Sequence, residues 1–163
     1  MKKILAALDF SPISEQIYEQ AVSLATVYKA ELFLLHVVHS LQDVYIGVSL
    51  ANQEYYGSMG PLYIPDESII QQLRDQAKEE EQKLDELRQK TAALGIDCHA
   101  LLLQGEPAKV LVDEAERLNC DLILMGTHGH SLMYKAFLGS TSEEVTCKAC
   151  RPIMLFPRKQ GND

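Results

Sequence analysis

Short apolar runs alternate along this chain with longer stretches in which apolar residues recur every three or four positions. Lys3 to Leu8 is the first compact run, and Asp9-Phe10-Ser11-Pro12 ends it with a helix-start signal, Ser11 as N-cap and Pro12 at the first helical position. A helix to about Tyr28 is predicted, because Ile17, Ala21, Leu24 and Ala25 fall on one face of a 3.6-residue turn. Glu31 to Val38 is the next strand.

The rhythm then breaks. His39 to Asp66 carries Gly47, Gly57, Gly60, Pro61, Pro65 and the tyrosines Tyr45, Tyr55, Tyr56 and Tyr63 with little regular period, so it reads as a long variable loop. From Glu67 to Leu94 a helix is expected, with Ile70, Leu73, Ala77, Leu84, Leu87 and Leu94 along one seam and Gly95 as its stop. Glu80 and Thr91 interrupt that seam. A helix that covers a sheet fits this pattern better than a coiled coil.

Ile96 to Leu103 reads as a third strand. Gln104-Gly105-Glu106-Pro107 turns into a helix that ends near Asn119, Asp121 to Met125 is a fourth strand, a last helix runs to about Cys150, and Pro152 to Phe156 is a terminal strand. Strands alternating with helices predict an α/β fold with an open, five-stranded parallel sheet and helices on both faces. In such sheets ligands bind at the carboxyl ends of the strands, where the strand order reverses.

Composition supports one globular unit: 163 residues, 47% hydrophobic and 23% charged. A net charge of -8 argues against a nucleic-acid or anionic-membrane partner. Apolar runs are too short for a membrane span, and Asp9 comes too early for a secretory signal, so a cytoplasmic protein is expected. Cys98 and Cys120 fall in or beside strand patterns and read as reduced core residues.

The chemistry concentrates after the fourth strand, in Met125-Gly126-Thr127-His128-Gly129-His130 and, nine residues beyond His130, in Gly139-Ser140-Thr141. Glycines there let backbone N–H groups approach an anion, and the start of the following helix adds unpaired donors and a favourable dipole. Local phosphate binding is thereby compatible with an acidic chain.

These residues, with Lys3-Ile4-Leu5 leading to Asp9-Phe10-Ser11, Leu34-Leu35-His36-Val37-Val38, Gly105-Glu106-Pro107 and Cys150-Arg151-Pro152-Ile153-Met154, resemble the universal stress protein family in its ATP-binding branch. Gly126-x2-Gly129-x9-Gly139-Ser140 is similar to that family's nucleotide signature. The resemblance covers nearly the whole chain and implies one nucleotide-binding domain over residues 1–158, a tail over 159–163, and the strand order 3-2-1-4-5.

The resemblance also implies site residues. Asp9 would hold the ribose or base and the main chain of Val37 the adenine, with Ala7, Leu8 and Met125 as apolar walls. Gly126 would lie beside the ribose, and Thr127, His128, Gly129, Gly139, Ser140 and Thr141 would surround the phosphates. The implied ligand is an adenine nucleotide, ATP first among ATP, AMP and cyclic forms, with Mg²⁺ or Mn²⁺ carried on its phosphates. A homodimer through Pro152, Ile153, Met154, Leu155 and Phe156 is implied as well.

Asp9 also has a purely structural reading, an Asx turn that closes the strand before Ser11. The glycine loop lacks the Lys-Ser/Thr ending of a Walker motif, so at most slow ATP hydrolysis is expected, and a nucleotide-dependent stress or signalling regulator is the first reading. A slow ATP hydrolase, a structural dimer with an empty site and a thiol redox protein using Cys147 and Cys150 are the alternatives. The cysteine pair sits at the end of a helix, where the dipole disfavours a thiolate.

Overall fold

A computed structural model of the chain describes residues 1–38, 67–127 and 138–157. Among these residues the elements alternate as expected: β1 (Lys3–Ala7), α1 (Pro12–Tyr28), β2 (Glu31–Val38), α2 (Glu67–Ala93), β3 (Cys98–Gln104), α3 (Pro107–Arg117), β4 (Leu122–Gly126), α4 (Ser140–Lys148) and β5 (Ile153–Phe156). The strands form one parallel sheet in the order β3-β2-β1-β4-β5. The variable loop expected at 39–66, with its tyrosines, and the tail at 159–163 lie outside the described residues.

Both faces of the sheet are apolar, which is why the strands read as continuous hydrophobic runs. Ile4, Ala6, Leu8, Leu32, Leu34 and Leu124 project to one face and pack with Ile13, Ile17, Ala21 and Ala25 of α1 and Leu84 of α2. Leu5, Phe33, Leu35, Ile123 and Met125 project to the other, against Ala108, Leu111 and Ala115 of α3 and Val145 of α4. Successive residues of β1 thus serve opposite cores, as the two-residue period of a strand requires.

The two polar interruptions of the α2 seam have specific partners. Thr91, fully buried, donates to the Leu87 carbonyl at 2.8 Å and lies 3.0 Å from the Tyr18 hydroxyl of α1, which itself reaches the same carbonyl at 3.3 Å. Glu80 meets His36 across the helix–sheet interface, with Oε2 3.2 Å from Nε2. Gly95 ends the helix region at φ +80, a conformation that glycine adopts without steric cost.

Candidate functional site

Parallel pairing brings the carboxyl ends of all five strands to one edge. Ala7 pairs with Leu35, so β2 runs three residues, His36, Val37 and Val38, beyond the last paired residue of β1. On the other side Ala6 pairs with Leu124, and β4 continues through Met125 to Gly126. The end of β1 is therefore a notch, walled by the overhang of β2 and the end of β4, at the point where the strand order reverses.

Asp9 stands at the base of this notch. Its Oδ1 accepts from the Ser11 N–H at 3.0 Å, the Ser11 hydroxyl at 2.6 Å and the Ser14 hydroxyl at 2.7 Å, while its own N–H donates to Ser14 Oγ at 3.1 Å. Ser11 occupies the N-cap position ahead of Pro12, but its hydroxyl turns back to Asp9 instead of capping the helix. The Asx-turn reading of Asp9 is correct, and the same bonds hold the carboxylate in one orientation.

Phe10 completes the turn at φ +57, in the left-handed region that an aromatic residue rarely adopts. Its ring lies 4.7 Å from that of His36, centroid to centroid. His36 is buried, and because a carbonyl only accepts, its Nδ1 donates to the Leu8 oxygen at 2.6 Å. The histidine in the apolar strand is thus a hydrogen-bonded core residue. It anchors the main chain one residue before Asp9.

The far wall is built around Thr127. Its carbonyl accepts from the Gly139 N–H at 2.8 Å and from the Ser142 hydroxyl at 2.7 Å, and Ser142 Oγ also lies 2.8 Å from the Gly139 carbonyl. These bonds plant the amino end of α4 beside the end of β4. Gly139 is the N-cap, the first intrahelical bond runs from the Glu143 N–H to the Gly139 carbonyl, and a helix has no internal acceptors for its first-turn N–H groups, here those of Ser140, Thr141 and Ser142.

The described residues thus bring Ala7, Leu8, Asp9, Val37, Met125, Gly126, Thr127, Gly139, Ser140 and Thr141 to one edge of the sheet. His128 and Gly129 lie outside the described residues. Gly126 and Gly139 do not use positive φ: Gly126 is the last residue of β4, paired with Phe156, and Gly139 has φ -63. What sets these two positions apart at this edge is the missing side chain. Thr127 directs its hydroxyl to the Phe156 carbonyl at 3.3 Å, so its main chain, more than its side chain, shapes the wall.

Gly105-Glu106-Pro107 has a structural explanation. Gly105, at φ +145, donates its N–H to the Val38 carbonyl at 3.2 Å, and a Cβ there would press on Val110 at 3.0 Å. The Glu106 carboxylate caps α3 by accepting from Ala108 and Lys109 N–H groups at 3.0 and 2.7 Å. Sequence reading missed Ser14 and Phe10 as builders of the candidate site, and did not foresee that the Ser142 hydroxyl turns to the Thr127 carbonyl. The Ser11-x2-Ser14 and Ser140-x-Ser142 spacings at two helix starts were the available signal.

The family model for the universal stress protein family matches residues 1–157. The chain belongs to that family. It is similar to universal stress protein YxiE of Bacillus subtilis, 31% identical over 154 residues that cover 94% of this chain and 97% of that protein. The fold is similar to that of MJ0577 of Methanocaldococcus jannaschii, at 26% identity and a TM-score of 0.73, covering 98% of each chain. It is also similar to a universal stress protein from Archaeoglobus fulgidus in complex with dAMP, at 21% identity and a TM-score of 0.58, covering 95% of this chain and 97% of that one.

Cys147 and Cys150 are exposed, at the end of α4 and just beyond it. No helix starts on them to stabilise a thiolate. Burial pushes the thiols of Cys98 and Cys120 up to about 11, which keeps both protonated and unreactive at neutral pH. Among the described residues no helix is long and apolar enough to cross a membrane.

Proposed function

We propose that the notch at the end of β1 binds an adenine nucleotide, ATP first, and that the protein is a nucleotide-dependent regulator of the stress-protein type. The observation that carries this reading is the pair of bonds from Gly139 and Ser142 to the Thr127 carbonyl, which sets a helix amino end across the notch from a fixed carboxylate. Phosphates suit the helix end, because its N–H groups and dipole attract anions. Ribose hydroxyls suit Asp9. The overhanging main chain at Val37 suits adenine, whose edge needs one donor and one acceptor.

The Archaeoglobus fulgidus relative is in complex with dAMP, which supports an adenine nucleotide as the class of ligand. Mg²⁺ or Mn²⁺ would enter on the nucleotide's own phosphate oxygens. The glycine sequence offers no Walker lysine, so occupancy rather than turnover is the signal. A homodimer through β5 accompanies this reading, since β5 is an edge strand of four apolar, half-buried residues.

Calorimetry of ATP, AMP and cyclic AMP against purified protein tests the site. Micromolar or tighter binding of an adenine nucleotide, lost in folded Gly126→Val protein, is the expected result. Equal affinity in the variant overturns it.

A further inference from the structure

At the opposite end of the sheet, the amino ends of β2 and β3, Glu31, Asp97 and His99 each bring one ligand atom within 4.8 Å of the other two. Phe33 of β2 is the registered partner of His99 on β3, and Glu31 and Asp97 each stand two positions earlier. The period of two puts all three side chains on one face. The Leu32 N–H donates to the Asp97 carbonyl at 2.8 Å, which fixes the main chain of Asp97 against β2. The His99 ring stacks on Phe33 at 4.9 Å with an interplanar angle of 17°, which holds its plane.

His99 Nε2 is 3.0 Å from Glu31 Oε1 and 3.4 Å from Asp97 Oδ1. Around a first-row divalent ion with bonds of about 2.0–2.2 Å, adjacent donors sit about 3.0–3.5 Å apart in octahedral or tetrahedral geometry. We propose that Glu31, Asp97 and His99 form a second ligand site, one for a divalent transition-metal ion of the zinc class, with water in the remaining positions. One imidazole with two carboxylates suits Zn²⁺, Co²⁺ or Mn²⁺ better than an all-oxygen ion such as Ca²⁺ or a soft ion that wants thiolates.

Asp97 and His99 are exposed, so the ion enters directly from solvent. Ligation uses the Nε2 lone pair, so the Nε2 proton of a neutral ring moves to Nδ1 as the ion binds. Lys3 sets the strength of the site. Its ammonium lies 3.5 Å from Glu31 Oε2 and competes as a positive charge for the same carboxylate. A bound ion would tie β2 to the edge strand β3 without touching the nucleotide notch.

The test is zinc calorimetry and thermal unfolding on nucleotide-free protein carrying Cys147→Ser and Cys150→Ser, which removes the exposed thiols as competing ligands. One Zn²⁺ per chain is expected, with micromolar affinity and a raised Tm. His99→Ala and Asp97→Asn should each weaken binding at least about tenfold. Lys3→Gln should tighten it, and Asp9→Ala should leave it unchanged. Absence of binding at about 1 mM Zn²⁺, or equal affinity in the His99 and Asp97 variants, overturns the site and leaves an ion-pair cluster only.

Discussion

His36 Nε2 and Glu80 Oε2 lie 3.2 Å apart, across the interface between the sheet and α2. The other nitrogen of the same ring holds the Leu8 carbonyl. A single imidazole therefore connects the middle of a long covering helix to the main chain that leads into Asp9. Removing Glu80 leaves one side of a buried histidine without its polar partner.

Glu80→Ala should accordingly lower stability by about 1–3 kcal/mol. Glu79→Ala and Glu81→Ala, at exposed neighbouring positions, should change it by less than about 0.5 kcal/mol. Urea denaturation of the three variants makes the comparison, and equal midpoints would show that the contact contributes nothing.

Ser142 should matter to nucleotide affinity through its hold on the site. Ser142→Ala removes the hydroxyl that bonds the Thr127 and Gly139 carbonyls and costs about 0.5–1.5 kcal/mol of stability. Its ATP affinity should fall, but by less than that of Gly126→Val, which adds a branched side chain at the end of β4. Calorimetry on both proteins ranks the effects; the reverse order would count against the role of the Thr127 tie.

Thiol chemistry should divide the cysteines into two pairs. At pH 8, Cys147 and Cys150 should react promptly with a thiol reagent, and Cys98 and Cys120 only after denaturation. Both buried thiols have a folded value of about 11 against an ordinary value of 9.0, so the unfolded chain releases these protons first as pH rises. Their contribution to stability is complete below about pH 9 and is lost as pH climbs towards about 11. Cys98→Ala and Cys120→Ala should flatten that alkaline decline in urea midpoints measured across the window.

Dimerisation through β5 predicts that Met154→Glu favours the monomer, because it places a charge on an apolar edge strand. Light scattering decides this, and a wild-type monomer would reject the interface.

ATP turnover, where it occurs, should be slow. The described site supplies a helix end and a carboxylate engaged in organising its own turn, without an evident general base or positively charged finger. A rate near 10 per second that Gly126→Val abolishes would make the protein a dedicated enzyme.

Element order and the edges of most elements were legible because both strand faces are buried and the helices have clear apolar stripes. Glu31–Val38 agrees at both ends with the expected strand, and α1 spans the expected helix. The site was legible as a set of strand ends and less so as geometry. Nothing in the local sequence at Phe10 announces positive φ, and its ring partner, His36, comes from a distant part of the chain. Glu80 and Thr91 looked like defects in a seam because their partners, His36 and Tyr18, come from distant parts of the chain.

The placement of β1 at the centre of the sheet has a consequence during synthesis. Ile4 pairs with Leu32 on one side and with Leu122 on the other. A nascent chain can make the first pairing early, but the second waits until most of the protein has left the ribosome. Until β4 arrives, one long edge of β1 has unmatched backbone groups and apolar faces that favour self-association. Chains truncated before Leu122 should therefore depend heavily on chaperones, whereas the finished chain closes its own sheet.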